Sequence, residues 1–370
     1  MSAPRREFDA RHPLRVGLVG SGMMGFEHVR NLALQDEVLL VALADPHPPS
    51  RALGRRAAGR PVATYEDVGE MVEQERLDVV VVATPNHTHA AVLDALLDRP
   101  IHVLVEKPLC TTLEDCERIA RAADTRDALL WVGLEYRYMP PVARLIELVR
   151  DGAVGRLRML AIREHRFPFL PKVGDWNRFN RFTGGTLVEK CCHFFDLMNL
   201  IVGVPALRVY ASGAQDVNHL EERYDGERPD ILDNAYVLVD YEDGTRALLD
   251  LCMFAEGSRN EQEIAATGDL GKVECFVPES RVVVGRRADR AIEQTLVEVP
   301  EAILAAGFHH GATYYQQRAF LEAIRNPDAP RIDARAGLAA TALGLAAQRS
   351  IECGAPVALA APPTDVRAGP

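Results

Sequence analysis

The 370-residue sequence has no apolar run long enough to cross a membrane and no cluster of basic residues. Its longest apolar runs, such as Val79–Ala83, have the length of a strand, well below the roughly 20 residues of a membrane-spanning helix. It has 42 lysines and arginines against 53 aspartates and glutamates, and the resulting net charge of -11 repels nucleic acid. The sequence therefore argues against a membrane protein and against a nucleic acid partner.

The sequence also lacks the cysteine spacing of a disulfide framework. Its seven cysteines are scattered and odd in number, which favours a reducing compartment. The segment Met1–Pro13 is charged and has no apolar core of the kind found in a signal peptide. We therefore expect a cytoplasmic location.

A chain of this length exceeds one ordinary hydrophobic core, so we expect two domains. In residues 1–133, continuous apolar runs alternate with helical segments, which is typical of a parallel sheet covered by helices on both faces. The predicted strands are Leu14–Val19, Val38–Ala44, Asp78–Ala83, Ile101–Val105 and Leu129–Gly133, and the predicted helices include Phe26–Leu34, Ala90–Leu97 and one capped by Thr111 with Glu114. The sequence predicts an α/β, doubly wound Rossmann domain.

The pattern changes in residues 134–359, where strands follow one another with turns between them. Helices are predicted at Pro140–Arg150, Gly184–Ile201, Thr313–Arg325 and Arg335–Glu352, and strands at Leu157–His165, Ala206–Gly213, Asn234–Asp240, Thr245–Met253 and Glu261–Thr267. This predicts an α+β domain with a largely antiparallel open sheet, whose C-terminal helices could pack back on the first domain. The Ala- and Pro-rich tail, residues 360–370, is expected to be disordered.

A glycine loop follows the first strand and opens the first helix. Its sequence is Gly20-Ser21-Gly22-Met23-Met24-Gly25. Gly20 would permit a tight turn, Gly22 would let the backbone approach a pyrophosphate, and Gly25 would allow the helix to pack closely on the strand. The motif in this context predicts a dinucleotide-binding loop.

Asp45 ends the second strand, 20 residues after Gly25. A carboxylate at this place accepts hydrogen bonds from the adenosine ribose hydroxyls and repels a 2′-phosphate. No arginine directly follows Asp45. The sequence therefore predicts NAD in preference to NADP.

Three features together resemble the glucose–fructose oxidoreductase and inositol dehydrogenase family (Gfo/Idh/MocA). The first is the glycine loop with its downstream acid. The second is Thr84-Pro85-Asn86-x-x-His89 after one strand and Glu106-Lys107-Pro108 at the end of the next. The third comprises Trp176-Asn177-Arg178, Gly184-Gly185 and Glu189-x-x-x-His193-x-x-Asp196. The resemblance covers about residues 14–355.

The resemblance implies an oxidoreductase that transfers hydride between NAD and a secondary hydroxyl or keto group of a sugar, inositol or related polyol. It implies that the second domain supplies the substrate pocket and an oligomer interface, so we expect a homodimer or homotetramer. Members usually carry aspartate where this chain has Glu189, whose side chain is one methylene longer.

The predicted catalytic residues are Lys107, His193 and Glu189. Lys107 lies at the carboxyl end of a parallel strand, where it could stabilise negative charge on a substrate oxygen. His193 could accept the hydroxyl proton as hydride leaves the same carbon. On a single helix, Glu189, His193 and Asp196 would share one face, and Asp196 could orient the imidazole or bind a substrate hydroxyl.

The remaining predicted site residues contact cofactor or substrate. The resemblance places Glu106 near the nicotinamide ribose and Asn86 near the cofactor, and the cofactor set is Gly20, Ser21, Gly22, Met23, Met24, Gly25, Asp45, Thr84, Pro85, Asn86, His89, Glu106 and Lys107. The substrate set is Arg137, Trp176, Arg178, Glu189, His193, Asp196 and His310.

Other functions stay open at this point. The pairs His87-x-His89 and His309-His310 and the run Cys191-Cys192-His193 suggest a metal enzyme, but none has the spacing of a zinc site, and the prediction is no metal. A second alternative oxidises a glycoside hydroxyl transiently and then eliminates or hydrolyses, so that NAD is regenerated in place. A third is a non-catalytic NAD-binding sensor, which has no need of Lys107 and His193.

Overall fold

The computed structural model describes residues 8–359 and divides the chain into two structural units. Of the described residues, the first unit contains 8–135 together with Pro300–Leu338, and the second contains Tyr136–Val299 and 339–359. The predicted tail at 360–370 lies outside the described residues. Within the described part of the chain, no helix is long and apolar enough to span a membrane.

The first unit is built on a six-stranded parallel sheet in the order β3-β2-β1-β4-β5-β6. The strands are β1 (Leu14–Val19), β2 (Val38–Ala44), β3 (Ala63–Tyr65), β4 (Val79–Val82), β5 (His102–Glu106) and β6 (Leu130–Gly133). The helices between them are α1 (Met23–Leu32), α2 (Pro48–Ala57), α3 (Val68–Gln74), α4 (His89–Asp94) and α5 (Leu113–Asp124). The chain order reverses between β1 and β4, which is where doubly wound sheets form their ligand crevice.

The central strands of this sheet are apolar along their whole length because both faces are covered. All four residues of β4, Val79–Val82, are buried, as are the last four of β1. The Rossmann domain predicted from the continuous apolar runs is therefore confirmed.

The second unit contains a nine-stranded sheet in the order β14-β13-β12-β11-β7-β10-β9-β8-β15. Only β7 and β10 run parallel, and every other neighbouring pair is antiparallel. The strands are β7 (Leu157–His165), β8 (Ala206–Ala214), β9 (Asn234–Tyr241), β10 (Arg246–Cys252), β11 (Gln262–Gly268), β12 (Gly271–Val277), β13 (Arg281–Arg286), β14 (Ile292–Leu296) and β15 (Val357–Ala358). The predicted largely antiparallel α+β fold is confirmed.

The remaining helices connect or follow these strands. They are α6 (Pro140–Arg150), α7 (Asn180–Thr183), α8 (Thr186–Glu189), α9 (Cys192–Val202), α10 (Glu301–Leu304), α11 (Ala312–Arg325) and α12 (Ala334–Cys353). The short helix α10 and the helix α11 belong to the first unit.

Two sequence predictions of local structure are wrong. The cap of α5 is Thr112, whose hydroxyl oxygen accepts a hydrogen bond from the Asp115 backbone N–H, one residue later than the predicted Thr111. The predicted helix over residues 184–201 is two helices, α8 and α9. They are separated because Cys191 N–H bonds the Thr186 carbonyl five residues back, which widens the turn and breaks the regular helix.

Candidate active site

The glycine loop joins β1 to α1 as predicted, and each glycine has its own role. Gly20 has φ of +85°, and a Cβ there would lie 2.5 Å from the Ala83 carbonyl oxygen. A Cβ on Gly25 would lie 2.1 Å from the Gly20 carbonyl oxygen, so the helix can approach the turn only without a side chain. A Cβ on Gly22 would meet no atom within 4 Å, so this side of the loop is open to a ligand.

Asp45 directly follows β2 and is buried beside the glycine loop. Its Oδ2 accepts hydrogen bonds from the Ser21 backbone N–H at 2.7 Å and the Ser21 hydroxyl at 3.2 Å, and its Oδ1 accepts the His47 N–H at 2.8 Å. Two carboxylate oxygens can accept about four bonds, so capacity remains for a further donor. The sequence reasoning missed Arg51, which donates to the Asp45 carbonyl oxygen at 2.6 Å and to Glu66 at 2.7 Å.

The segment after β4 carries a second set of predicted cofactor residues. Asn86 is 6% exposed, and its amide nitrogen has no hydrogen-bond acceptor among the described residues. His89 is fully buried, and its ring nitrogens lie 2.8 Å from the Pro108 carbonyl oxygen and 3.1 Å from the Thr84 carbonyl oxygen. Burial lowers the pKa of His89 below its ordinary value. The imidazole therefore ties the segment after β4 to the segment after β5.

Glu106 is the last residue of β5 and lies at the carboxyl edge of the sheet. Its Oε1 is 2.8 Å from His28 Nε2, and its Oε2 accepts the Lys107 backbone N–H at 3.3 Å. Burial opposes ionisation of Glu106, but the hydrogen bond from His28 and the positive charge of Lys107 act against it, and the pKa of this carboxyl is lowered. Lys107 is half-buried and precedes a cis peptide bond to Pro108.

The sequence reasoning missed the side chains that hold Glu106. Gln317 of α11 donates its amide N–H to His28 Nδ1 at 3.0 Å, and Gln35 donates to the Gln317 oxygen at 2.7 Å. Because an amide nitrogen only donates, His28 Nδ1 accepts, and the ring proton lies on Nε2 facing Glu106. One sign of this network was present in the sequence. The polar residues Glu27, His28 and Asn31 follow the glycine motif on α1, and the structure buries all three.

In the second unit, His193 lies in α9 and is 2% exposed. Its ring stacks on Tyr136, with centroids 3.9 Å apart and planes 9° from parallel. Glu189 is also buried but ends α8, so it does not share a helix face with His193 and Asp196 as predicted. The stacking fixes the plane of the His193 imidazole.

Two predicted substrate residues, Arg137 and Asp196, form a bidentate ion pair. Arg137 Nε donates to Asp196 Oδ2 at 2.6 Å, and its terminal nitrogen donates to Oδ1. Asp196 is 2% exposed, so the guanidinium compensates the burial of its negative charge. Arg137 thus fixes a carboxylate one helical turn from His193.

The other predicted substrate residues belong to both structural units. Arg178 is 3% exposed, and its Nε donates to Glu222 at 3.2 Å. Trp176, two residues earlier in the chain, is half-buried. His310 belongs to the first unit and is half-buried, with φ of +53° just before α11.

Lys190 forms a buried ion pair with Glu164. Its Nζ lies 2.8 Å from Glu164 Oε1 and 2.5 Å from the Tyr136 hydroxyl oxygen, and Gln262 donates to Glu164 Oε2 at 2.7 Å. Lys190 is 6% exposed and Glu164 is fully buried. The neighbouring Cys191 is fully buried.

Comparison with known proteins gives the family. Residues 14–134 match the oxidoreductase family GFO_IDH_MocA with an NAD-binding Rossmann fold, and residues 146–359 match its C-terminal alpha/beta domain. A myo-inositol 2-dehydrogenase of Thermotoga maritima is 26% identical over 344 residues, 92% of this chain and 96% of the relative. The rhizopine catabolism protein MocA of Rhizobium meliloti is 33% identical over 189 residues, 51% of this chain and 57% of that protein.

A solved structure of levoglucosan dehydrogenase in complex with NADH has the same fold. Its TM-score is 0.84 at 20% identity, covering 94% of this chain and all of the other. The open side of the loop at Gly22 and the unused amide N–H of Asn86 both suit a dinucleotide. The chain belongs to the Gfo/Idh/MocA family of oxidoreductases, and its N-terminal domain is the NAD-binding Rossmann fold of that family.

Proposed function

We propose that the protein is an NAD-dependent dehydrogenase that acts on a secondary hydroxyl of an inositol, a sugar or a related polyol. The observation that carries this proposal is the Glu106–Lys107 pair at the carboxyl end of β5, in the unit that holds the dinucleotide loop. The myo-inositol 2-dehydrogenase similar to 92% of the chain supports the substrate class. NAD accepts the hydride in this chemistry.

The proposed catalytic residues are Lys107, His193 and Glu189. Lys107 stabilises negative charge on the substrate oxygen, and His193 accepts the hydroxyl proton through its imidazole. The stacking of His193 on Tyr136 supports this role because a fixed ring plane orients the accepting nitrogen. Glu189 contributes a buried carboxylate that binds a substrate hydroxyl.

The proposed cofactor contacts come from the loop, Thr84, Pro85, Asn86, Glu106 and Asp45. The Asp45 carboxylate accepts hydrogen bonds from Ser21 and from the adenosine ribose hydroxyls, and the Asn86 amide N–H donates to the cofactor. His89 contributes by positioning the Thr84 and Pro108 backbones. The proposed substrate set is the predicted one, Arg137, Trp176, Arg178, Asp196 and His310.

NAD is preferred to NADP in this proposal because Asp45 repels a 2′-phosphate. The nearby guanidinium of Arg51 is already bound to Glu66 and to the Asp45 carbonyl oxygen. Asp45→Ala should lower the ratio of kcat/KM with NAD to kcat/KM with NADP about tenfold or more, since one lost charge-assisted contact equals about 1.4 kcal/mol. An unchanged ratio would refute the ribose contact.

The dehydrogenase proposal is tested with a panel of inositols, aldoses and glycosides, followed by NADH absorbance and by product analysis. With the best substrate, Lys107→Ala and His193→Ala should each lower kcat about 100-fold or more while NAD binding stays within a few-fold. Lys272→Ala and His165→Ala are matched controls in the second unit. Near-normal kcat in both site variants would refute the assignment, and product without NADH accumulation would indicate the NAD-retaining reaction instead.

We also propose a homo-oligomer, dimer or tetramer, formed through the large sheet. Tyr210, Leu238 and Leu248 lie opposite one another on β8, β9 and β10 and are 44%, 40% and 38% exposed. A row of exposed apolar side chains across three strands is typical of a protein interface. Light scattering after size exclusion should give a multiple of 40.7 kDa that Leu238→Glu reduces, and a monomeric wild type would refute the proposal.

A cytoplasmic location completes the proposal. All seven cysteines are free thiols, five of them buried, which is consistent with a reducing compartment. Fractionation of the source cells, probed with an antibody to this chain, tests the location, and recovery outside the cytosol would refute it.

A further inference from the structure

Three side chains of metal-ligating type meet in the first unit, and one of them, Glu27, follows the glycine loop on α1. Glu27 comes from α1, Glu135 follows β6, and His309 precedes α11. One ligand atom from each lies within 4.8 Å of the other two. Glu27 and Glu135 are 1% and 0% exposed, and the His309 side chain is 22% exposed. Two carboxylates are therefore removed from water around one partly accessible imidazole.

The short distances identify the atoms that face one another. His309 Nδ1 lies 3.1 Å from each Glu27 oxygen and 3.5 Å from Glu135 Oε1. The Thr313 hydroxyl lies 2.8 Å from Glu27 Oε1 and 2.6 Å from Glu135 Oε2. A Cβ on Gly307 would lie 2.2 Å from Glu27 Oε1, so the chain before His309 passes directly over this carboxylate.

The buried carboxylates of Glu27 and Glu135 need more hydrogen-bond donors or positive charge than the neighbouring side chains supply. A hydroxyl carries one proton, so Thr313 can donate to only one of the two carboxylates that it touches. Glu135 Oε1 is buried and accepts no hydrogen bond from any described residue, although it faces His309 Nδ1. A buried carboxylate oxygen without a donor is costly, and a second positive group shared by the two acids removes the cost.

We propose that Glu27, Glu135 and His309 form a binding site for a divalent first-row metal ion such as Mn²⁺ or Zn²⁺. Metal–ligand distances of about 2.0–2.2 Å allow one ion to reach three donor atoms that lie roughly 3–4 Å apart. Two carboxylates balance the charge of the ion, and the imidazole favours Mn²⁺ or Zn²⁺ over Mg²⁺ and Ca²⁺. The Thr313 hydroxyl donates its one proton to one of the two carboxylates and so orients it, as outer-shell donors do in metal sites.

This proposal departs from the sequence prediction of no metal. That prediction considered neighbouring histidines and cysteines, and only His309 of that group belongs to the cluster. Glu27 and Glu135 are more than 100 residues apart in the sequence and carry no metal-site spacing. The ligand set therefore becomes visible only when α1, β6 and α11 are assembled.

The experiment titrates Mn²⁺ into the metal-free full-length protein and counts free Mn²⁺ by electron paramagnetic resonance. Mn²⁺ is chosen because Zn²⁺ also binds exposed thiols such as Cys353. The expected result is one Mn²⁺ per chain and a melting temperature that rises with Mn²⁺ concentration. Equimolar Mg²⁺ should displace little of it.

Variants assign the ion to this cluster. Glu135→Gln keeps the shape of the side chain but removes its charge, and His309→Ala removes the partly exposed ligand, so each should weaken Mn²⁺ binding at least tenfold. His310→Ala is the matched control and should bind Mn²⁺ as the wild type does. If Glu135→Gln fails to fold, the comparison of Mn²⁺ binding by His309→Ala and by His310→Ala is sufficient to test the proposal.

Two results would overturn the proposal. The first is a folded wild-type protein that binds no Mn²⁺, in which case the additional positive charge is a proton on a carboxyl group. The second is Mn²⁺ binding that His309→Ala leaves unchanged, which would mean an adventitious ion only. Neither result depends on turnover, so this proposal and the dehydrogenase proposal can fail separately.

Discussion

The buried pair Lys190–Glu164 makes a quantitative prediction about stability. Glu164→Gln keeps the volume of the side chain but leaves the Lys190 ammonium, 6% exposed, without its counter-ion at 2.8 Å. Breaking a buried ion pair by removing one partner costs about 3–5 kcal/mol. Lys190 keeps its bond to the Tyr136 hydroxyl and lies 4.9 Å from that ring's centroid, which retains about 1 kcal/mol. We expect Glu164→Gln to lower the free energy of unfolding by about 2–4 kcal/mol.

The assay is urea unfolding at pH 7 followed by tryptophan fluorescence. The two tryptophans lie in different units, Trp131 in the first and Trp176 in the second. A Trp131→Phe background therefore reports the second unit, which holds the ion pair. Every variant is compared within that background.

Two controls separate the ion pair from a general effect of removing charge. Asp240→Asn breaks a pair with Arg208 whose side chain is 64% exposed, and it should cost at most about 1 kcal/mol. Adding Lys190→Met to Glu164→Gln removes the buried ammonium group and should recover at least half of the lost unfolding free energy. A loss for Glu164→Gln no larger than that for Asp240→Asn, or no recovery in the double variant, would refute the reasoning.

Three further predictions test the glycine loop, a buried histidine and the revised helix cap. Gly25→Ala should lower the free energy of unfolding in urea by about 1–3 kcal/mol because its Cβ meets the backbone of the preceding turn. Gly22→Ala should leave that free energy within about 0.5 kcal/mol but weaken NAD binding, measured by calorimetry, about tenfold. Equal losses of stability in the two variants would contradict this. Burial lowers the pKa of His102 to about 4 from 6.5, so the unfolded chain takes up the proton first, and stability should fall by up to about 3 kcal/mol as the pH drops from 6.5 to 4. His102→Asn should flatten that part of the stability curve, and an unchanged slope would exclude this group as its source. Thr112→Ala should cost about 1 kcal/mol and Thr111→Ala almost nothing, and the reverse order would restore the earlier cap.

Several features of the site could be predicted from short-range sequence patterns. The glycine loop, Asp45 and Glu106-Lys107 each occupy the end of an apolar run, and parallel strands bring such ends to one edge of the sheet. The positions of these residues in the sequence therefore predict that they lie close together at the carboxyl edge of the sheet. The Rossmann fold and the antiparallel second domain follow from the same periodicities.

The arrangement on α8 and α9 could not be predicted in this way. Glu189, His193 and Asp196 have helical spacing, yet the turn at Lys190–Cys191 separates them. The pairing of Arg137 with Asp196 and of Lys190 with Glu164 also joins distant parts of the chain. Sequence spacing carries no information about such pairs because tertiary packing brings them together.

The sequence by itself determined the two fold classes, the dinucleotide loop and the acid that follows it. These depend on backbone requirements and on burial patterns that repeat within one element. Only the tertiary structure decided which polar groups are buried together: Gln317 against His28, Lys190 against Glu164, and His309 between two acids. A buried charge or donor needs a partner wherever the fold brings one, and that partner can come from any part of the chain.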